Sequence, residues 1–321
     1  MNPKYILSKI FIKVVVLSVK MMFGSFIYYI GNMPLAILIP YFIGFLVLLI
    51  GSYTDIRTRE VPDWVNFGLI SVGFGINILF SVIYWKINFI VSSVIGFTAF
   101  FILAWIMFYT GQWGGGDSKI LMGLGAIIGI DIFSKKFFLL GFLINALLIG
   151  ALYGLLWSIF SIFRNKKKFY KFFKKSMLNK KVILAKKIAF ILFIILLLLA
   201  FIADDKFVKL MLSYLAAISI ITFYMWIAIK AVENACMLKY VKPQQLTEGD
   251  WIAKEIKIDG KYITGPKDLG IEKKKISKLI ALYKKGKVKK ILIKEGIPFV
   301  PSFFIAYVVT LIYGNLVFLL V

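Results

Sequence analysis

Histidine is absent from this chain of 321 residues, and cysteine occurs once, as Cys236. These two scarcities remove whole chemistries. No disulfide can form within the chain. No Cys/His zinc site can be assembled, no histidine can ligate haem, and neither a Ser-His-Asp nor a Cys-His nucleophile is available. Acids are also scarce: 15 Asp and Glu stand against 40 Lys and Arg, a formal charge of +25. Any reaction must therefore run on carboxylates, Lys, Ser/Thr or Tyr, with no metal and no other cofactor expected. The basic N-terminal stretch continues into an apolar one with no small-residue cleavage site, so no removable signal peptide is expected.

Apolar residues, by contrast, are abundant. They make up 61% of the chain, where soluble proteins average roughly 45–50%. Several runs approach or exceed the ~20 apolar residues that cross a bilayer as a helix, the form that satisfies its own backbone in lipid. The fold expected is an all-α polytopic membrane protein. Spans are read at 34–53, 63–84, 88–110, 118–133 (a short one), 137–163, 187–203, 207–235 and 297–320. A further stretch at 10–31, interrupted by Lys13 and Lys20, either spans or lies in the interface. The count is eight or nine. The organisation that follows is an N-terminal helix in 1–33, a transmembrane core in 34–163, a basic loop in 164–187, transmembrane helices in 188–238, a basic insertion in 239–296 and a last helix in 297–321.

Charge orients this chain. Residues 164–187 hold Arg164 and ten lysines, and 239–296 hold sixteen lysines against seven acids. The other side of the membrane is left with Lys86, Lys135, Lys136, Lys206 and Lys209. Lys and Arg collect in cytoplasmic loops, so the loops around Asp55 and Asp117 are placed on the cytoplasmic face with the two basic segments. That explains the positive charge through topology and contact with lipid headgroups, and no nucleic-acid partner is expected. The insertion reads as a small α+β unit. Asp259-Gly260 within "IKIDGKYI" has the form of a tight hairpin turn. "IEKKKISKLIALYKK" puts Ile276, Leu279, Ile280 and Tyr283 on one helical face.

Two acids stand out by position. Asp55, in "GSYTDIRTREVPDWVNF", falls at the C-terminal end of a span, where the helix already carries partial negative charge and a carboxylate is disfavoured. Asp117 closes "GQWGGGD" before the short span. As a plain structural element it is an N-cap, accepting backbone N–H bonds. A cap does not need Gly114, Gly115 and Gly116 before it, however, and three glycines are costly to order. They suit unusual dihedrals or the close approach of an extended peptide. Glu60 and Asp63 have ready structural roles, as a partner for Arg57 or Arg59 and as a first-turn acid, and are also the acids nearest Asp55. Two carboxylates at one membrane depth suggest aspartic-protease chemistry, in which like charges share a proton and water is the nucleophile.

Asp55 within "DIRTREVPDW" and Asp117 within "GGGD" resemble the two motifs of the GxGD membrane aspartic proteases, in the branch of the type IV prepilin peptidases. The polar insert followed by "EGIPFVPSFFIAY" is similar to the C-terminal part of the archaeal preflagellin (archaellin) and prepilin peptidases. The likeness covers about 40–140 closely and the last 80 residues loosely. It implies an endopeptidase with Asp55 and Asp117 as its catalytic pair. The substrates implied are pilin- or archaellin-like precursors, cut of a short basic leader at the cytoplasmic face of the membrane. The bacterial relatives commonly add a CxxC zinc module and a methyltransferase; this chain has no CxxC pair, so proteolysis alone is expected. The presenilin-like branch differs, with a Tyr-Asp pair and a Pro-Ala-Leu motif, where this chain has Thr54-Asp55 and "IPFVPS". A transporter using juxtamembrane acids is the alternative, set back by the lack of any mid-span acid and of any internal repeat.

Overall fold

The structure, a computed structural model, describes residues 35–131, 138–258 and 260–319. The candidate span at 10–31, Lys135, Lys136 and Asp259 of the expected turn lie outside the described residues. Among the described residues, ten α-helices run in chain order: α1 Leu35–Thr58, α2 Asp63–Ile83, α3 Asn88–Tyr109, α4 Gly115–Ile128, α5 Phe138–Arg164, α6 Lys166–Met177, α7 Lys180–Ile202, α8 Lys206–Val232, α9 Lys273–Lys284 and α10 Val300–Tyr313. Six of them, α1, α2, α3, α5, α7 and α8, are long and apolar enough to cross a membrane. The protein is thus a polytopic helical membrane protein. The remaining two expected spans are α4 and α10, each of 14 residues, a length of about 21 Å against a hydrocarbon core of about 30 Å.

Local sequence explains the helix ends. Pro62 precedes α2 and Asp63 opens it, an acid at the positive end of the helix dipole. Asp205 Oδ1 accepts the Val208 N–H at 2.8 Å to cap α8. Gly129, at φ 70, stops α4, the left-handed conformation that glycine adopts freely after a helix. Pro301 sits in the first turn of α10, where its missing N–H is no loss. One boundary departs from the sequence reading. Residues 164–187 do not form a loop: α6 and the start of α7 occupy them. The lysines there are interleaved with Phe169, Phe172, Phe173 and Met177 at helical spacing. Phe173 and Met177 pack against Val182, Phe223 and Ile227, so apolar contact secures a helix that composition alone reads as a charged linker.

The chain divides into two units, one holding the described residues up to Leu155 and from Gly296 onward, the other Leu156–Glu295. In the first unit α4 is the central element. Ile120, Leu121, Leu124, Ala126 and Ile127 are all fully buried, the pattern of a helix enclosed on every side. Around it Leu48 of α1, Leu69 of α2, Phe100 of α3, Phe142 of α5 and Phe303, Phe304 and Tyr307 of α10 form one continuous core. Small and polar residues let the backbones meet. A side chain at Gly96 of α3 would strike the carbonyl of Gly125, and one at Gly125 that of Gly96. Ser93 Oγ donates to the Ala126 carbonyl, and Asn77 Nδ2 donates to those of Ala126 and Ile127 at 3.2 and 3.1 Å. Buried hydrogen bonds and small residues of this kind hold helices together where lipid supplies no hydrophobic drive.

The second unit contains the apolar pair α7–α8, with α6, and a small α+β part that begins at residue 238. Strand β5 (Ile291–Lys294) lies between β1 (Leu238–Val241) and β2 (Trp251–Ile252), antiparallel to both, with Val241 opposite Ile291 and Ile252 opposite Ile293. Strands β3 (Ile256–Ile258) and β4 (Lys261–Thr264) form an antiparallel hairpin. Gly260 in its turn has φ 75, as the sequence pattern requires. The apolar face foreseen for α9 is present: Leu279 is fully buried against Ile271 and Ile291, with Ile276 packed beside them.

Candidate active site

The site is built from helix ends in the first unit. Asp55 lies in the last turn of α1 and is 6% exposed. Its Oδ2 accepts the Val300 N–H at 3.0 Å, and the Phe299 N–H also bonds to this carboxylate. Residues 299 and 300 are the cap and first residue of α10. The position that looks unfavourable along α1 is therefore partly compensated in three dimensions. The free N–H groups and positive dipole end of α10 meet the carboxylate that the C-terminus of α1 would repel.

Asp117 occupies the first turn of α4, and its Oδ2 accepts the Gly114 N–H at 3.0 Å. This corrects the simple capping role: Gly114 is the cap, extended at φ −73 and ψ 166, and Asp117 is the third residue of the helix reaching back to it. The glycine run is also more regular than its composition suggests. Gly115 and Gly116 are helical, and among the glycines from 111 to 116 only Gly111 has a positive φ, at 70°. A Cβ at Gly116 would lie 3.4 Å from the Val61 nitrogen, so the close approach there is to the chain's own backbone. The side of Gly115 is nearly open, with Phe108 at 3.9 Å as its nearest neighbour.

The fold brings the two aspartates together closely enough for their charges to interact. One element supports both. Phe303 of α10 packs edge-on against Trp113, just before the glycines, with ring centroids 5.5 Å apart. It packs in the same way against Phe299, at 5.2 Å, whose backbone serves Asp55. Arg59 acts electrostatically on Asp55, and the Asp55 charge reaches Tyr153 of α5. Gly150, one turn before Tyr153, leaves room for the Phe299 ring: a Cβ there would be 2.6 Å from the ring edge. The other two candidate acids are both exposed. Glu60 lies between α1 and α2. Asp63 is paired with Lys119 of α4, Nζ to Oδ1 at 2.6 Å.

Sequence reasoning missed the N–H groups of Phe299 and Val300, Lys119 and Tyr153. It assigned Arg59 only a neighbouring acid. The proline pair in "IPFVPS" marked a helix start, but nothing in the sequence paired that start with Asp55. Among the described residues, no three His, Cys, Asp or Glu side chains gather into a metal-binding set.

Fold and site together describe a polytopic helical membrane protein with two neighbouring aspartates at helix ends. Residues 42–155, which carry both aspartates, match the type IV leader peptidase family. The chain is 41% identical over 91 residues to a preflagellin peptidase of Methanococcus voltae, covering 28% of this chain and 39% of that protein. It is 37% identical over 91 residues to a preflagellin peptidase of Methanocaldococcus jannaschii, covering 28% and 38%. A preflagellin peptidase of Methanococcus maripaludis is 40% identical over the same length. The chain thus spans about two fifths of the length of these curated relatives. No solved structure matches it.

Proposed function

We propose that this chain is an aspartic endopeptidase that removes the short basic leader from pilin- or archaellin-like precursors at the cytoplasmic face of the membrane. The observation that carries this reading is the meeting of Asp55 and Asp117 within the segment that matches leader peptidases. Two carboxylates so close do not both ionise readily, so the pair holds one proton between them. The ionised member takes a proton from water as the water oxygen attacks the scissile carbonyl, and the protonated member donates to the carbonyl oxygen. Collapse of the gem-diol breaks the C–N bond, and the leaving amine takes a proton from the dyad. A new carboxylate and a new amine result.

The precursor reaches the dyad as an extended strand along the open side of Gly115, beside Gly114. With Asp63 paired to Lys119, Glu60 is the acid left to receive a leader cation near Asp55. Lysines on the same face engage anionic lipid headgroups.

The test is cleavage of a precursor with a basic leader before an apolar helix, by protein reconstituted in vesicles. Asp55→Asn and Asp117→Asn should each abolish cleavage while leaving the protein folded, since Asn keeps the shape but neither accepts nor shares the proton. Near wild-type cleavage by either variant would sink the dyad assignment. Ion flux through the wild-type vesicles without cleavage would favour transport.

A further inference from the structure

Arg59 follows α1 in the left-handed region, at φ 65. Its N–H returns to the Asp55 carbonyl at 2.9 Å, closing the helix end in the way glycine usually does. A Cβ is disfavoured in this conformation, and glycine would relieve it. The chain nevertheless has a long cationic side chain there, and that side chain has a definite destination. Its Nη1 donates to the Gly296 carbonyl at 2.9 Å. Four residues on, the Val300 N–H holds Asp55 Oδ2 at 3.0 Å. The end of α1 and the segment entering α10 are thus tied twice, once by the guanidinium and once by the carboxylate, around a single small ring of chain.

We infer that Arg59 is a positioning residue of the aspartic dyad: its guanidinium fixes the 296–300 segment against the end of α1, and so aims the Asp55 carboxylate and keeps a cation beside it. This rests on the peptidase reading above. The groups that face Asp55 are Asp117 from α4, Tyr153 from α5, the N–H groups of Phe299 and Val300 from α10, and Arg59 itself. Arg59 is the cation among those groups. Removing it takes that counter-charge from beside the carboxylate and so alters its titration.

The experiment compares wild type, Arg59→Gly, Arg59→Met and Arg59→Lys in the precursor assay, with kcat, KM, the pH–rate profile and thermal unfolding in detergent. Arg59→Gly relieves the backbone and should unfold at or above the wild-type temperature. Its kcat should nonetheless fall by about 100-fold, the scale of an ångström-level misplacement at a reacting centre, with KM little changed. The acid limb of its profile should shift. Arg59→Met, which keeps the stem, should match it, and Arg59→Lys should restore part of kcat and the wild-type profile. Wild-type kcat and profile in the Gly or Met variant would overturn the inference. So would losses that track unfolding temperature across the series with no change in profile. The peptidase reading is judged apart from these variants: if wild type cleaves and Asp55→Asn does not, the Arg59 results bear on Arg59 alone. If wild type cleaves no precursor, both fall.

Discussion

Replacing Gly96 by alanine should displace the helix that carries Asp117. A Cβ at this position of α3 would strike the Gly125 carbonyl oxygen of α4 and lie 2.8 Å from the Gly129 Cα. Both neighbours are backbone, so no rotamer change can make room. Ordinary contact begins near 3.4 Å, and in a close-packed interior the two helices must part by about 1 Å. That movement strains the bonds that fix the far end of α4, from Ser93 and Asn77 and from the Ile130 N–H to the Ser92 carbonyl at 2.8 Å. Overpacking of this kind costs about 1–3 kcal/mol. Displacement of a reacting group by an ångström lowers the rate by about 100-fold. Thermal unfolding in detergent reads the first effect and precursor cleavage the second. Gly75→Ala is the control: a Cβ there meets nothing within 4 Å, so stability should hold or rise by up to about 1 kcal/mol from helix propensity, with activity unchanged. If Gly96→Ala matches wild type in both unfolding temperature and rate, the backbone-to-backbone seam between α3 and α4 is refuted.

Asn145→Leu should destabilise the first unit by about 2–4 kcal/mol, because its Nδ2 donates to Thr310 Oγ1 and the Gly314 carbonyl and its Oδ1 accepts the Leu316 N–H, leaving buried partners unpaired; a loss below 0.5 kcal/mol on the same denaturation scale would show that these bonds contribute little. The orientation is checked with single cysteines in a Cys236→Ala background. A membrane-impermeant thiol reagent should label Lys86→Cys in intact cells and Gln112→Cys only after lysis, since α3 separates these exposed positions by about 33 Å of helix. The reverse pattern would put the dyad on the outer face.

The membrane helices were legible in the sequence because lipid imposes a one-dimensional rule: a helix that spans must be apolar over its own length, whatever its neighbours. Asp55 and Asp117 stood out in the sequence because each breaks a local preference or sits in an unusual context that residue types alone display, and the structure brings them near one another. The hairpin at Gly260 and the buried face of α9 were legible for the same reason, since turn chemistry and helical periodicity act over a few residues. What only the tertiary structure decided depends on contacts between distant residues. Asp55 is 245 positions from Val300, and Arg59 is 237 from Gly296. Residues 164–187 became helical because Phe173 and Met177 found an apolar partner in α8. A carboxylate at a helix C-terminus is disfavoured by its own helix at every sequence-local level. It is stabilised here because another helix ends its unpaired N–H groups on it, and the pairing of two helix ends is a property of packing.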